Sequence, residues 1–253
     1  LLCSDRSLRL ANMRSVLYST SAGLSGGQTE ISASTRSGRA TVKISVVIPA
    51  QNEMHAIGAV IRSSRRYSDE VIVIDDGSTD ETSRVSQAAG AKVLRNESAQ
   101  GVVRSTELGL RAASGDIVVT LDADGQHDPS DIPALVEPIV QEKADLVVGK
   151  RLDVPLLELL IALLIRGQVK CDDVGSGYRA LRRSLARTIR LWGFCLCGSL
   201  IIEARRLGGR ITEVPVKIAP RRFGKSHWSS WFARASTHCG QCLIILCRML
   251  KSA

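Results

Sequence analysis

Aromatic residues are scarce in this chain, 4% of 253 residues, and they do not alternate with basic side chains except near Phe223 and Trp228. Single-stranded nucleic acids are held on aromatic faces set among cations, so this composition argues against a nucleic-acid partner despite a formal charge of +9. Long apolar runs are missing as well. Residues 154–165 (VPLLELLIALLI) and 243–250 (LIILCRML) fall short of the roughly 18 to 20 residues a bilayer-spanning helix requires, or are interrupted by charge. The seven cysteines are odd in number and irregularly spaced, which argues against a secreted disulfide framework and suits a reducing compartment. Cys239-x-x-Cys242 lacks the second pair of a closed zinc centre and sits in an apolar, helix-like tail, so buried thiols are expected there.

Hydrophobic residues make up 44% of the chain, enough for one sizeable core. Charge is unevenly spread. Residues 1–42 carry a balance of +3, residues 43–150 hold eleven basic and seventeen acidic groups for −6, and residues 151–253 hold eighteen and six for +12. An acidic half followed by a basic one suggests an anionic partner such as a membrane surface or a phosphorylated substrate. Residues 1–42, rich in Ser, Thr, Gly and Arg, are expected to form a disordered or targeting-like extension. Residues 43–227 hold the domain, and residues 228–253 an amphipathic helical tail.

Within the domain, continuous aliphatic runs alternate with segments of helical period. Strands are expected at 44–48, 71–74, within 91–96, 116–122 and 144–151, and helices at 53–66, after 78, at 102–113 and at 129–142. Ser78 and Glu81 are spaced as a capping box for the second helix. This alternation predicts an α/β fold, a Rossmann-like and mostly parallel sheet with helices on both faces.

Ligands of such sheets bind at the carboxyl ends of the strands, and here those ends carry residues 49–53, Asp75 with Asp76, residues 122–126 and residues 149–151. A dinucleotide site is excluded because IPAQNE, residues 48–53, has no glycine to let backbone approach a pyrophosphate. An EF-hand is excluded because Pro133 stands where the bidentate glutamate belongs. A polar turn would also use Asp, Gly and Pro. Yet Asp122-x-Asp124, with Gln126 and the Asp75/Asp76 pair nearby, supplies the hard oxygen ligands that Mg²⁺ or Mn²⁺ takes when bridging to a diphosphate.

Six stretches, SVVIPAQNE, VIVIDDGSTDET, GDIVVTLDADGQHDP, VVGKR, DVGSGYRALRR and ITEVPVKIAPRRFGKS, resemble in order and spacing the GT-A inverting glycosyltransferases of the family 2 type. They look most like the polyprenyl-phosphate (dolichyl-phosphate) mannosyltransferases, over residues 44 to about 226. The resemblance implies that Pro49, Gln51, Glu53, Ile74 and Asp76 hold the nucleotide, that Ala123 meets the ribose-diphosphate, and that Asp122, Asp124 and Gln126 ligate the metal. It further implies that Arg151, Ser176, Arg179 and Arg221 surround the sugar-diphosphate and the acceptor phosphate. Asp124, Arg151, Arg179 and Arg221 then carry catalysis, with Ser176 and Arg179 at the acceptor phosphate. Gln51 stands where an aromatic residue is usual, and His227 where a lysine is usual. Glu203 matches a glutamate expected to support the site. The interval between Arg151 and Asp173 is shorter than in the family.

The implied partners are a nucleotide-sugar donor, GDP-mannose, and a polyprenyl or dolichyl phosphate acceptor at the cytoplasmic face of a membrane. Association is expected to be peripheral, with room for a membrane partner subunit. An acceptor phosphate is already ionised at neutral pH and needs no general base, whereas a sugar hydroxyl would, with Asp172 or Asp173 in that role. A UDP-sugar transferase of the second kind, or a nucleotide-sugar binder without turnover, is the alternative.

Overall fold

The computed structural model describes residues 41–167, 169–223 and 231–251. The expected extension over residues 1–42 therefore lies almost wholly outside the described residues, as does His227. Every described element belongs to the unit Val42–Ala253.

The aliphatic runs become strands because their β-branched residues fill a pleated surface covered on both sides. They are β1 (Ile44–Ala50), β2 (Glu70–Asp75), β3 (Lys92–Arg95), β4 (Ile117–Thr120) and β5 (Leu146–Lys150), joined by β6 (Arg179–Arg182) and β7 (Ile211–Pro215). The helices are α1 (Ile57–Ser64), α2 (Thr82–Ala88), α3 (Val102–Ala112), α4 (Ile132–Val140), α5 (Leu156–Ile165), α6 (Arg183–Thr188), α7 (Ser199–Arg206) and α8 (Trp231–Lys251). A short 3₁₀ turn, Pro129–Asp131, precedes α4.

The sheet runs β3-β2-β1-β4-β6-β5-β7. All neighbours pair in parallel except β6, which is antiparallel to both β4 and β5. The strict period of two sorts the strand residues into two layers. Val47, Ile72, Ile74, Val118, Leu146 and Val148 face α3, α5 and α7, whereas Val46, Ile48, Val71, Val73, Val119 and Val147 face α1 and α4.

Two local expectations change. The capping box is not made: Asp80 accepts from the Thr82 amide at 2.9 Å, while the Ser78 hydroxyl accepts from the Asn52 amide at 3.0 Å. Asp80 is closer to the first turn, so its carboxylate reaches the orphan donor. The tail cysteines are not uniformly buried. Cys239 and Cys247 are exposed on α8, and all six described cysteines are free.

Asp145 ties the far half of the sheet together. Its carboxylate accepts from Arg182 Nε at 3.1 Å, from Arg210 Nε at 3.0 Å and from the Arg210 amide at 3.0 Å, so one side chain links the ends of β5, β6 and β7. The Arg210 hydrogen bond, followed by the Arg210 amide and Arg182, holds its pKa down from 3.8 to about 2. A depressed carboxylate contributes stability above its unfolded pKa and loses it as pH falls through the folded value. Asp145→Asn is expected to cost about 1 kcal/mol at neutral pH, since both arginines are partly exposed and screened. In urea unfolding the gap between wild type and variant should close as pH falls from about 4 to about 2.

Candidate active site

The loops after β1 and β2 are stitched to each other. Asn52 takes a left-handed backbone, φ 55°, which its short polar side chain tolerates, and its Oδ1 accepts from the Thr79 amide at 2.8 Å. The Glu53 amide donates to Thr82 Oγ1 at 2.8 Å. Asp75 is fully buried, accepting from the Ser78 amide at 2.9 Å, from Ser83 Oγ and from Arg95 Nη1 at 3.0 Å. Asp76 accepts from Asn96 Nδ2 at 2.7 Å and from the Gln100 and Gly101 amides at 2.8 Å each. Desolvation works to raise the pKa of both aspartates, but their hydrogen bonds outweigh it and hold them below the ordinary value.

Both carboxylates thus order this edge. Asp76, expected at the base or ribose, holds the 96–101 loop there. Ile74, expected against the nucleotide, packs its side chain in the layer under α3, which leaves its backbone to face the site. Pro49 and Gln51 are half-buried at the end of β1, and Ala123 is buried in the α1 and α4 layer.

At the end of β4, Asp122 and Asp124 face the same space. Asp124 is 13% exposed and Asp122 44% exposed. Burial, then the neighbouring Asp122 charge, pushes the Asp124 carboxyl above its ordinary value. Its own partners are the Gln126 amide at 3.0 Å and Arg221 Nη1 at 3.0 Å. Arg221 also contacts Glu53 through Nη2, and its Nε donates to the Phe223 carbonyl at 2.8 Å. One guanidinium therefore crosses from the segment after β7 to the ends of β1 and β4. Gln126 donates through Nε2 to the Ala219 carbonyl at 3.2 Å, leaving its side-chain oxygen as the acceptor available to a cation.

These residues fit a divalent cation. Asp124 carries a raised pKa because it is buried and, secondly, because the Asp122 carboxylate is close, and a metal relieves both. Asp122 also has room made for it: a Cβ on Gly177 would lie 2.5 Å from Asp122 Oδ1. Among the described residues no three His, Cys, Asp or Glu side chains form a closed metal centre, so the remaining ligands of an ion here would come from Gln126, solvent or a diphosphate.

On the other side, Arg151 is committed to carboxylates. Its Nε donates to Asp173 Oδ2 at 2.8 Å, its Nη2 to Asp173 Oδ1 at 2.6 Å, and Nη2 also pairs with Glu158. It was expected against the sugar-diphosphate. In this structure Glu158 of α5 lies beside it, and the guanidinium braces α5 against Asp173. Asp173 is fully buried and further accepts from the Arg151 and Ser176 amides at 2.8 and 3.0 Å. Burial opposes its ionisation, but these bonds hold its pKa below the ordinary value. Asp172 pairs with Lys150, and that contact lowers its pKa too.

Arg179 is fully buried. Nη2 donates to the Val174 carbonyl at 2.9 Å and more weakly to Leu196 at 3.4 Å, while Nε and Nη1 have no hydrogen-bond partner. Burial lowers its pKa. Ser176, also fully buried, accepts from the Tyr178 amide at 3.3 Å. Glu203 lies apart from both clusters, accepting from Trp192 Nε1 at 2.8 Å, Arg206 Nε at 3.1 Å and Arg248 Nη1 at 3.2 Å, with the Arg248 guanidinium 4.4 Å over the Trp192 ring. It supports α8.

The sequence reasoning missed the Gly177 cradle and the Glu158 pairing, which need tertiary contacts to be seen. It also passed over Glu53 and Arg221 as a pair, although they lie 168 residues apart.

A mixed α/β sheet with an aspartate pair at the end of β4, facing loops that can hold a nucleotide, defines a GT-A type glycosyltransferase. Residues 45–197 match the domain "Glycosyl transferase family 2", and the chain belongs to that family. It is 31% identical to the UDP-N-acetylglucosamine–dolichyl-phosphate N-acetylglucosaminyltransferase of Methanococcus voltae, over 69% of this chain and 84% of the relative. It is 29% identical to the dolichol-phosphate mannosyltransferase of Pyrococcus furiosus, over 73% of this chain but 59% of that protein. Among solved structures, glucosyl-3-phosphoglycerate synthase from Mycobacterium tuberculosis, in complex with Mn²⁺, UDP and phosphoglyceric acid, superimposes with a TM-score of 0.66 at 31% identity. That likeness covers 78% of this chain and 75% of the synthase.

Gly177→Ala is expected to displace Asp122 and weaken Mn²⁺ binding in the presence of a nucleoside diphosphate about tenfold or more, on the scale of lost support to a metal ligand. Titration calorimetry of Mn²⁺ into both proteins checks this.

Proposed function

We propose that this glycosyltransferase moves mannose from GDP-mannose onto a polyprenyl or dolichyl phosphate, with inversion, at the cytoplasmic face of a membrane to which it binds peripherally. The observation that carries the acceptor is the state of the carboxylates near the start of β6. Asp173 is paired bidentately with Arg151, and Asp172 is paired with Lys150, both with lowered pKa. A general base for a sugar hydroxyl works best with a pKa close to the operating pH, and neither side chain meets that condition. A phosphate acceptor, with a second pKa of about 6, brings its own charge.

The cationic groups suit that acceptor. Arg179 holds two buried donors without an acceptor, an arrangement that costs free energy until an oxygen reaches them. The phosphate would meet Arg179 and Ser176 once the residues covering them shift. Asp122, Asp124 and Gln126 would hold Mg²⁺ or Mn²⁺, which supplies a Lewis acid at the donor diphosphate. Glu53 and Arg221 sit beside these ligands. Arg221 is placed to offset charge on the leaving diphosphate once it releases Asp124.

Lipid access has a surface to use. On α5, Leu156, Leu160 and Leu163 are 72%, 52% and 62% exposed, beside a half with a balance of +12. An exposed apolar helix flanked by cations lies in an anionic interface without crossing it. No helix among the described residues is long and apolar enough to span a bilayer. Mannose as the sugar rests on relatives such as the Pyrococcus enzyme and the undecaprenyl-phosphate mannosyltransferase of Micrococcus luteus. A UDP-sugar donor is the second reading, favoured by the UDP complex of the synthase.

The test offers labelled GDP-mannose and a labelled UDP-sugar with a polyprenyl phosphate or the free polyprenol in detergent. Labelling of the phosphate from GDP-mannose is the expected result, and labelling of the alcohol alone would overturn the acceptor. Asp172→Asn should keep activity within about twofold, since no proton passes through it. Arg179→Met should lower kcat/KM for the lipid phosphate by about 10- to 100-fold, the scale of a lost hydrogen bond to a charged group.

A further inference from the structure

His127 lies in the DADGQHDP stretch, and the transfer gives its side chain no task. It is 6% exposed, in a loop that reaches the strand ends. Neither Nδ1 nor Nε2 has a hydrogen-bond partner. The nearest acidic group is Asp122, with Oδ2 3.9 Å from Nε2, too long for a hydrogen bond and too short for independence. The Asp122 carboxylate lies between this imidazole and Gly177, where any Cβ would press on Oδ1.

The ring cannot swing away to find another partner. It packs on Tyr178 with centroids 5.0 Å apart and planes at 39°, and the Tyr178 hydroxyl donates to the Asp128 carbonyl at 2.9 Å. The backbone is fixed as well, by a bridge from His127 to Ile218 and by the Ala219 amide donating to the Gln126 carbonyl at 2.8 Å. Asp122, by contrast, is 44% exposed and has space to turn. A rotation that shortens the gap by about 1 Å would bring Oδ2 into hydrogen-bond range of Nε2–H. The other carboxylate oxygen would then face the space shared with Asp124.

We infer that His127 is a positioning residue for the cation site: its Nε2–H captures one oxygen of Asp122 and turns the other toward the ion. A buried imidazole without a partner is costly, and the capture satisfies it only when the carboxylate adopts the ligating orientation. The device therefore favours the metal-ready rotamer of Asp122 without touching the ion. This rests on the proposal that Asp122 and Asp124 hold a divalent cation.

The experiment is calorimetry of Mn²⁺ in the presence of GDP or UDP, with Mn²⁺ electron paramagnetic resonance as a second readout. It compares wild type, His127→Phe, His127→Gln and Asp122→Asn. His127→Phe keeps the ring against Tyr178 and removes the donor, so Mn²⁺ affinity should fall about tenfold with nucleotide affinity in the absence of metal unchanged. His127→Gln restores an N–H donor and should recover most of the loss, a rescue that a packing role alone would not produce. If His127→Phe is poorly folded, the Gln variant decides alone: it should bind Mn²⁺ within about threefold of wild type, well inside the tenfold loss. Equal Mn²⁺ affinity in His127→Phe and wild type, or a lowered melting temperature in that variant with affinity kept, would overturn the inference. Wild type that binds no Mn²⁺ would overturn the cation proposal itself, and Asp122→Asn binding as well as wild type would remove Asp122 from it.

Discussion

The mutual repulsion of Asp122 and Asp124 is the constraint around which this site is organised. A strand end that places two carboxylates in one partly buried space raises the free energy of their ionised forms, and Asp124 responds with an elevated pKa. The fold answers with charge drawn from elsewhere. Arg221 reaches across from the segment after β7 to Asp124 and Glu53, so three distant parts of the chain are joined at one guanidinium. On the proposed reading, a cation between them lets a nucleoside diphosphate approach this edge, where three acidic side chains would otherwise repel it.

The neighbouring cluster is more nearly balanced. Arg151 and Lys150 are paired with Asp173, Asp172 and Glu158, two cations against three carboxylates. A buried ion pair such as Arg151–Asp173 adds little net stability, but removing one member leaves a desolvated charge. Their effect here is to hold the 172–178 segment, through the Ser176 amide on Asp173, against the start of β6. Arg179 is the guanidinium of this region that no carboxylate neutralises among its hydrogen bonds, and it is the most deeply buried one.

Much of this was legible in the residues. The parallel strands β1, β2, β4 and β5 follow from aliphatic runs, and their carboxyl ends give the location of Asp76, Asp122 and Asp124. The strand β6 was not legible. RALR is short, half of it charged, and reads as a solvated face until Arg179 is seen to be buried. The pairing of Arg151 was not legible either, because a cation after a strand looks free until α5 brings Glu158 to it. Ser78 and Glu81 have capping-box spacing, yet Asn52 from another loop captured the serine. In each case the decision is made by a tertiary contact, and periodicity carries no information about it.

The antiparallel placement of β6 explains how donor and acceptor groups come to share one edge. A parallel strand brings its last residues to the carboxyl edge, so β4 delivers Thr120 and, just beyond, Asp122 and Asp124. An antiparallel strand between β4 and β5 brings its first residues there instead. Arg179, the first residue of β6, pairs in register with Thr120 on one side and Val148 on the other. Thr120 Oγ1 donates to the Gly177 carbonyl at 2.7 Å, which fixes the entry into β6 beside the cradle of Asp122. Had β6 run parallel, Arg179 would lie at the opposite end of the sheet from the aspartates. One reversal of chain direction therefore sets the aspartate pair and the buried arginine as neighbours, with no long connection or second domain needed to bring them together.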